Sequence, residues 1–167
     1  MGKAPKAADV KDIKVMVDRL VGVFERASRA ELIEGMSWYA DALDFCRTLT
    51  AGTDYRLEQI VGMVSAISPR LGWGPNQARA RTLVERHKVG DGYMGLGLPD
   101  NFRLGYQILS GELEPEDAFT CEPRNQSTTY DKTKRLCFYR NISGERHADV
   151  TVDSWAVKAA LRPEYEA

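Results

Sequence analysis

The chain has 167 residues, of which 43% are apolar and 28% charged, and its formal net charge is −1. This length is sufficient for one domain with its own core, and the near-zero charge excludes a generally basic protein. No apolar run is long enough to span a membrane. Three widely spaced cysteines form neither a disulfide framework nor a zinc motif, so we expect a cytoplasmic protein that has no membrane partner and no bound metal or cofactor.

Helical patterns dominate the first half of the chain. Apolar residues recur at alternating steps of three and four from Val10 to Phe24, which predicts an amphipathic helix. Ser28 and Glu31 form a capping box for a second helix, and Thr53 is the predicted N-cap of a third helix that Pro69 ends. We expect these three helices to supply the core scaffold. The predicted inward stripes of the first two are Val10, Ile13, Val17, Leu20 and Phe24, then Leu32, Met36, Tyr39, Leu43 and Cys46.

The second half also consists of helices separated by Gly, Pro and polar residues. A fourth helix is predicted from Pro75 in its first turn to about His87, with Ala78, Thr82 and Leu83 inward. The glycine-rich residues 90–98 are expected to form a flexible connection. The further predicted helices are Pro99 to Gly111, a short one from Pro115, Asp131 to Gly144, and Val152 to Leu161. With one strand stub at residues 150–152, the fold class is all-α, with a frayed tail over residues 1–9 and a single domain over residues 10–167.

Basic residues are concentrated in two segments. Residues 61–110 contain six basic and three acidic residues, and residues 121–147 contain the same numbers. Trp73 lies between two glycines, with Arg70 and Arg79 close in sequence. An aromatic ring beside two arginines could stack on a base next to a bound phosphate. The alternative is a tryptophan that folds back over the core.

Asp153 follows a short β-branched run and precedes an apolar helical stretch. An acid at this position can serve as a structural N-cap, because the helix dipole and the free backbone N–H groups favour it there. The alternative is a catalytic carboxylate held at a helix start. The basic segments upstream make the second interpretation worth testing.

Residues 55–161 resemble the helix-hairpin-helix DNA glycosylases, the superfamily related to endonuclease III. The similarity lies in three segments: the helix at residues 57–69, the Lys132-Thr133 helix that runs to Gly144, and the Val-Thr-Val-Asp-Ser-Trp sequence at residues 150–155. The chain departs from the family at residues 125–130, which contain no glycine where the family has a glycine-rich turn that grips a phosphate. A four-cysteine iron–sulfur motif is also absent from the sequence. Similarity to small phage-encoded proteins of this kind would imply the cytoplasm of a bacterial host.

The resemblance implies an all-α, DNA-binding enzyme that removes a flipped, modified base. Asp153 would stabilise positive charge on the sugar, and Lys132 would form a Schiff base in a lyase step. Alternatives are a non-catalytic DNA-binding or regulatory module on the same fold, and an all-α protein-interaction domain. Lys132 would then be an ordinary helix lysine. The candidate DNA contacts are Arg70, Trp73, Arg79, Lys134, Arg135 and Arg140.

Overall fold

A computed structural model describes residues 10–120, 129–144, 151 and 159–161. Within these residues the secondary structure is entirely helical, which confirms the predicted all-α class. The helices are α1 (Val10–Arg26), α2 (Arg29–Thr50), α3 (Leu57–Ile67), α4 (Trp73–Lys88), α5 (Pro99–Leu109), α6 (Pro115–Thr120) and α7 (Thr129–Ser143).

The chain divides into two compact units. One comprises Met1–Met36 and Val152–Ala167, and the other comprises Ser37–Thr151. The predicted tail at residues 1–9 lies outside the described residues. Of the predicted last helix only residues 159–161 are described, and they are helical. Thr151, the described residue of the predicted strand stub, is not in a strand.

Helix α3 forms the centre of the Ser37–Thr151 unit. Every residue from Gln59 to Ile67 is buried, and α4, α5, α6 and α7 pack around the helix. Gly62 allows the start of α6 to approach, since a Cβ there would lie 2.7 Å from the Cβ of Pro115. The buried amide of Gln59 donates to the carbonyl oxygens of Ile108 (3.2 Å) and Leu109 (3.1 Å), where α5 ends. The one long polar side chain of this buried run therefore satisfies carbonyls that the end of α5 leaves free.

Most helix ends lie close to the residues that predicted them. Pro99 and Pro115 begin α5 and α6. Two predicted caps are wrong. The N-cap of α3 is Arg56, whose backbone N–H donates a hydrogen bond to Oε1 of Gln59 at 2.9 Å, whereas the Thr53 hydroxyl donates to the carbonyl of Thr50. Helix α7 begins at Thr129, so Asp131 lies inside its first turn.

The inward face of α4 differs from the prediction. Ala78 and Thr82 are exposed, and of the three predicted inward residues only Leu83 is buried. The side chains of α4 that are buried are Asn76, Ala80, Leu83 and Val84. Alanines lie on both sides of this arginine-rich helix, so the spacing of its residues did not show which side faces the core. The side that packs against the core is the one that carries Ala80.

The apolar stripe of α1 is not core scaffold, contrary to the prediction. The members whose side chains the structure describes remain about half exposed: Ile13 at 52%, Val17 at 50%, Leu20 at 41% and Phe24 at 66%. The second stripe is buried only toward its C-terminal end, where Cys46 is fully covered while Met36 is 86% exposed. The spacing predicted the helices correctly, but it did not show whether other residues cover their apolar faces.

Candidate functional site

The turn between α3 and α4 holds Arg70 in a left-handed backbone conformation, with φ of 64°. Helix α3 ends before Pro69 as predicted, and Ser68 still has α-helical dihedral angles. The N–H of Leu71 donates to the carbonyl of Ser68 at 3.0 Å and closes the turn. A left-handed backbone conformation costs a non-glycine residue roughly 1–2 kcal/mol, and such residues cluster at functional sites.

A pocket of about 300 Å³ lies beside this turn. Its walls are almost entirely apolar, and Arg70, whose side chain is exposed, is one of the lining residues. Asn101, in the first turn of α5, is another. The lining residues are Ile67, Pro69, Arg70, Leu71, Gly97, Leu98, Asn101 and Phe102.

Two arginines of α4 hold the loop that forms the second wall of the pocket. Arg79 donates a hydrogen bond to the carbonyl of Leu96, and Arg86 donates to the carbonyl of Met94 at 2.8 Å. Gly97 lies directly against the ring of Phe102, and a Cβ at this position would be 3.0 Å from Cδ2 of that ring. The glycine-rich connection is therefore tied to α4, and its closest glycine forms part of the pocket wall.

Trp73 lies in the first turn of α4 and packs on the core. Its ring centroid is 5.1 Å from that of Trp38 and 5.6 Å from that of Phe45. The side chain is half-buried. This geometry corresponds to the second interpretation of the sequence, a tryptophan that folds back over the core, and its ring does not line the pocket.

The predicted phosphate contacts have different environments. Arg70 is exposed, and among the described residues its side chain has no hydrogen-bond or ion-pair partner. Arg79 is committed to the Leu96 carbonyl. On α7, Lys134 is half-buried, Arg135 is only 7% exposed, and Arg140 pairs with Glu116 at 3.3 Å. Of the predicted nucleic-acid contacts, Arg70 is the one that lines the pocket.

The two predicted catalytic side chains cannot be placed. Asp153 lies outside the described residues, and so do residues 125–128 of the expected hairpin. Lys132 lies in the described backbone of α7, but its side chain lies outside the described part. Their catalytic roles therefore remain predictions.

A tyrosine–histidine pair, which the sequence did not indicate, links the residues before α3 to the end of α4. The hydroxyl of Tyr55 and Nδ1 of His87 are 2.7 Å apart, and the histidine ring lies 4.6 Å from the ring of Tyr106. Burial lowers the pKa of His87, and burial, followed by the charge of Tyr106, raises the pKa of Tyr55. Tyr55 therefore stays protonated and can donate to a neutral His87.

Comparison with models of protein families shows a match over nearly the whole chain. Residues 3–167 match the model of a family of unknown function, DUF7178. The chain belongs to that family. No curated protein and no solved structure matches the chain at the significance that we required.

The described residues of this DUF7178 member contain no group of three or more metal-ligating side chains. Over the same residues, no helix is long and apolar enough to cross a membrane. The pocket beside Arg70 combines an exposed guanidinium with apolar walls. Such a site can bind a molecule that has both an anionic group and an apolar or aromatic part.

Sequence reasoning identified Arg70 but missed the other wall of this pocket. Gly97, Leu98, Asn101 and Phe102 come from a stretch that was interpreted only as a connection followed by a helix start. The one local signal was Gly97 itself, because a residue without a Cβ allows another group to approach the backbone closely. The pattern did not show which residue packs against the glycine.

Proposed function

We propose that this protein binds nucleic acid and that its pocket receives one unstacked base. The observation that carries the proposal is the exposed Arg70 at an apolar pocket, with no partner for its guanidinium among the residues that the structure describes. A guanidinium binds a phosphate through two parallel hydrogen bonds, and apolar walls accept the faces of a base. The resemblance of residues 55–161 to DNA glycosylases supports DNA as the nucleic acid.

The size and chemistry of the pocket favour a single base over a larger group. A volume of about 300 Å³ corresponds to the small end of ligand pockets, of about 300–1,000 Å³. Polar edges of a base need hydrogen-bond partners when they leave water. Asn101 supplies both a donor and an acceptor, and Arg70 supplies donors. The base would therefore place its ring against the apolar walls and its edge toward these two side chains.

Base excision is the enzymatic form of this proposal. Cleavage of an N-glycosidic bond develops positive charge on the sugar, which the carboxylate of Asp153 would stabilise. Lys132 would add a lyase step through a Schiff base. The alternative on the same fold is a DNA-binding or regulatory module that does not cleave.

The binding proposal is tested by fluorescence anisotropy with labelled single-stranded and duplex DNA over a range of salt concentrations. We expect Arg70→Gln to weaken binding about tenfold and to reduce the salt slope by about one. Arg47→Gln is the matched control, since it removes the same charge from an exposed arginine of α2 that pairs with Asp44. Equal losses in both variants, or no binding by the wild-type protein, would overturn the proposal.

The enzymatic form is tested by release of bases from DNA that contains modified pyrimidines. We expect the wild-type protein to release a base and Asp153→Asn to bind DNA normally without releasing it. Binding without release by the wild-type protein would support the non-catalytic module. Release that persists in Asp153→Asn would remove this carboxylate from the mechanism.

A further inference from the structure

The glycine-rich segment between α4 and α5 runs back along α4. We call residues 90–98 the glycine loop. The guanidinium of Arg86 donates to the carbonyl of Met94 at 2.8 Å, and that of Arg79 donates to the carbonyl of Leu96. The two arginines are seven residues apart, which places them on nearly the same face of the helix, about 10 Å apart along its axis. Since the earlier arginine binds the later loop residue, the loop lies antiparallel to α4.

The composition of the glycine loop makes it dependent on contacts of this kind. Four of its nine residues are glycines, at positions 90, 92, 95 and 97. Glycine loses more conformational freedom than any other residue when a chain becomes ordered. The side chain of Leu96 is buried, and the ring of Tyr93 lies 5.7 Å from that of Tyr106. The arginines of α4 add hydrogen bonds to the loop backbone itself, which glycines cannot fix through side chains.

Arg86 holds the first half of the glycine loop. Its Nε lies 3.6 Å from a carboxylate oxygen of Asp91, and the backbone N–H of Asp91 donates to the carbonyl of Arg86 at 2.8 Å. Its guanidinium also donates to the carbonyl of Gly92 at 3.4 Å. Hydrogen bonds from a charged donor are stronger than neutral ones, and the planar guanidinium fixes the direction of several at once. One side chain therefore holds the turn that follows α4 and the middle of the loop.

Arg79 acts at the end of the glycine loop that forms the pocket wall. The carbonyl that it binds belongs to the peptide group that joins Leu96 to Gly97, and Gly97 lines the pocket. Because a peptide group is planar, the position of this carbonyl fixes that of the Gly97 nitrogen. The fit at this wall is close, since a Cβ on Gly97 would lie 3.0 Å from Cδ2 of Phe102. The contact of Arg79 thus determines where the wall stands.

We propose that Arg79 and Arg86 are positioning residues of the pocket, which support a bound base by holding the glycine loop as its wall. The inference rests on the proposed function, because it assigns two residues to the binding of that base. It gives Arg79 a different role from the phosphate contact that the sequence predicted. A phosphate contact contributes to the salt dependence of binding, whereas a positioning contact does not.

Amide hydrogen exchange of the free protein, followed by NMR, tests whether the arginines hold the loop. In the Arg79→Gln/Arg86→Gln double variant we expect the amides of Asp91 and Leu96 to exchange at least about tenfold faster, because the loop opens more often. Their N–H groups donate to the carbonyls of Arg86 and Tyr93 when the loop is closed. The amides of α3 should exchange at the wild-type rate, which shows that the fold is retained. The two single variants should each show part of the effect.

Arg81→Gln is the matched control. It removes the same charge from the same helix, but the guanidinium of Arg81 lies over the ring of Phe45, 4.9 Å from its centroid. Exchange in the glycine loop should therefore stay at the wild-type rate. Equal acceleration by the control and the double variant, or no acceleration by the double variant, would overturn this inference and leave the proposed binding of nucleic acid intact.

Fluorescence anisotropy with labelled single-stranded DNA, over a range of salt concentrations, tests the role of the two arginines in binding. We expect the double variant to bind about tenfold more weakly with the salt slope of the wild type, whereas Arg70→Gln lowers the slope by about one. A slope lowered by about 0.7 for each arginine removed would identify phosphate contacts and overturn the positioning role. Wild-type affinity in the double variant would overturn it too. No binding by the wild-type protein would overturn the proposed function and this role with it.

Discussion

Helices α1 and α3 show how similar sequence patterns lead to different environments. Both were predicted from apolar residues at helical spacing. In α3 every residue from Gln59 to Ile67 is buried, whereas the apolar residues Ile13, Val17, Leu20 and Phe24 of α1 are about half exposed. The difference arises from what surrounds each helix, because four other helices pack around α3. Periodicity therefore predicts a helix and its apolar face, but it does not identify what covers that face.

The largest expected effect is the loss of a core side chain from α3. Ile60→Ala should destabilise the protein by about 2–5 kcal/mol, because it leaves a cavity at a fully buried position. Val17→Ala in α1 should change the free energy of unfolding by less than about 0.5 kcal/mol, because Val17 is half exposed. Urea denaturation of both variants measures the contrast. Equal losses would show that α1 is as tightly packed as α3.

Gly62 in α3 and Gly35 in α2 allow the effect of a glycine-to-alanine substitution to be compared in a crowded and an open environment. Gly62→Ala should destabilise by about 1–3 kcal/mol, because its Cβ would lie 2.7 Å from the Cβ of Pro115. Gly35→Ala in α2 should stabilise by roughly 0.5–1 kcal/mol, since no atom lies within 4 Å of the added Cβ and alanine favours the helix. Thermal unfolding separates these signs. A stabilising Gly62→Ala would contradict the close approach of α6 to α3.

Arg70 provides a test in which stability and function should change in opposite directions. Arg70→Gly should raise the free energy of unfolding by about 1 kcal/mol, because glycine adopts a φ of 64° without steric cost. The same variant should bind DNA more weakly, because the guanidinium is lost. Combined urea denaturation and anisotropy measure both effects. A variant that is less stable than the wild type would indicate that the side chain supports the fold.

The smallest expected effect is a pH dependence that arises from His87. Burial places its folded-state pKa below the ordinary value of 6.5, so the unfolded chain takes up a proton first as the pH falls. The stability contributed by neutral His87 is present above pH 6.5 and is lost as the pH falls from there toward the lowered pKa. We expect His87→Gln to lose less stability than the wild type between pH 7 and pH 5, as urea denaturation can measure. Parallel pH profiles would contradict this assignment.

Local signals in the sequence predicted much of the fold. Pro99 and Pro115 begin helices as expected, and Gly52, Gly111 and Gly144 follow helix ends with positive φ. These features depend on the chemistry of single residues. The inward face of α4 was only partly predicted. Its alanines allow either of two sides to face inward, and contacts with the neighbouring helices determine which side is buried.

The candidate site was less predictable from the sequence, because it also depends on contacts between segments that are far apart in the chain. Arg70 was selected from its charge and its closeness in sequence to Trp73, and the structure places it among the residues that line a pocket. The opposite wall comes from residues 97–102, about 30 positions further along the chain, and no local pattern connects the two segments. Trp73 was a reasonable candidate for stacking, but contacts with Trp38 and Phe45 on α2 place its ring on the core.

The most direct test of the account is an NMR titration of the ¹⁵N-labelled protein with a short single-stranded DNA. The account predicts that amide shifts change most at the two walls of the pocket, at Arg70 and Leu71 on one side and at Gly97 and Asn101 on the other. The Arg70→Gln variant should show the same pattern only at higher DNA concentration. Shift changes that avoid both walls, or no changes at saturating DNA, would contradict the claim that this pocket binds nucleic acid.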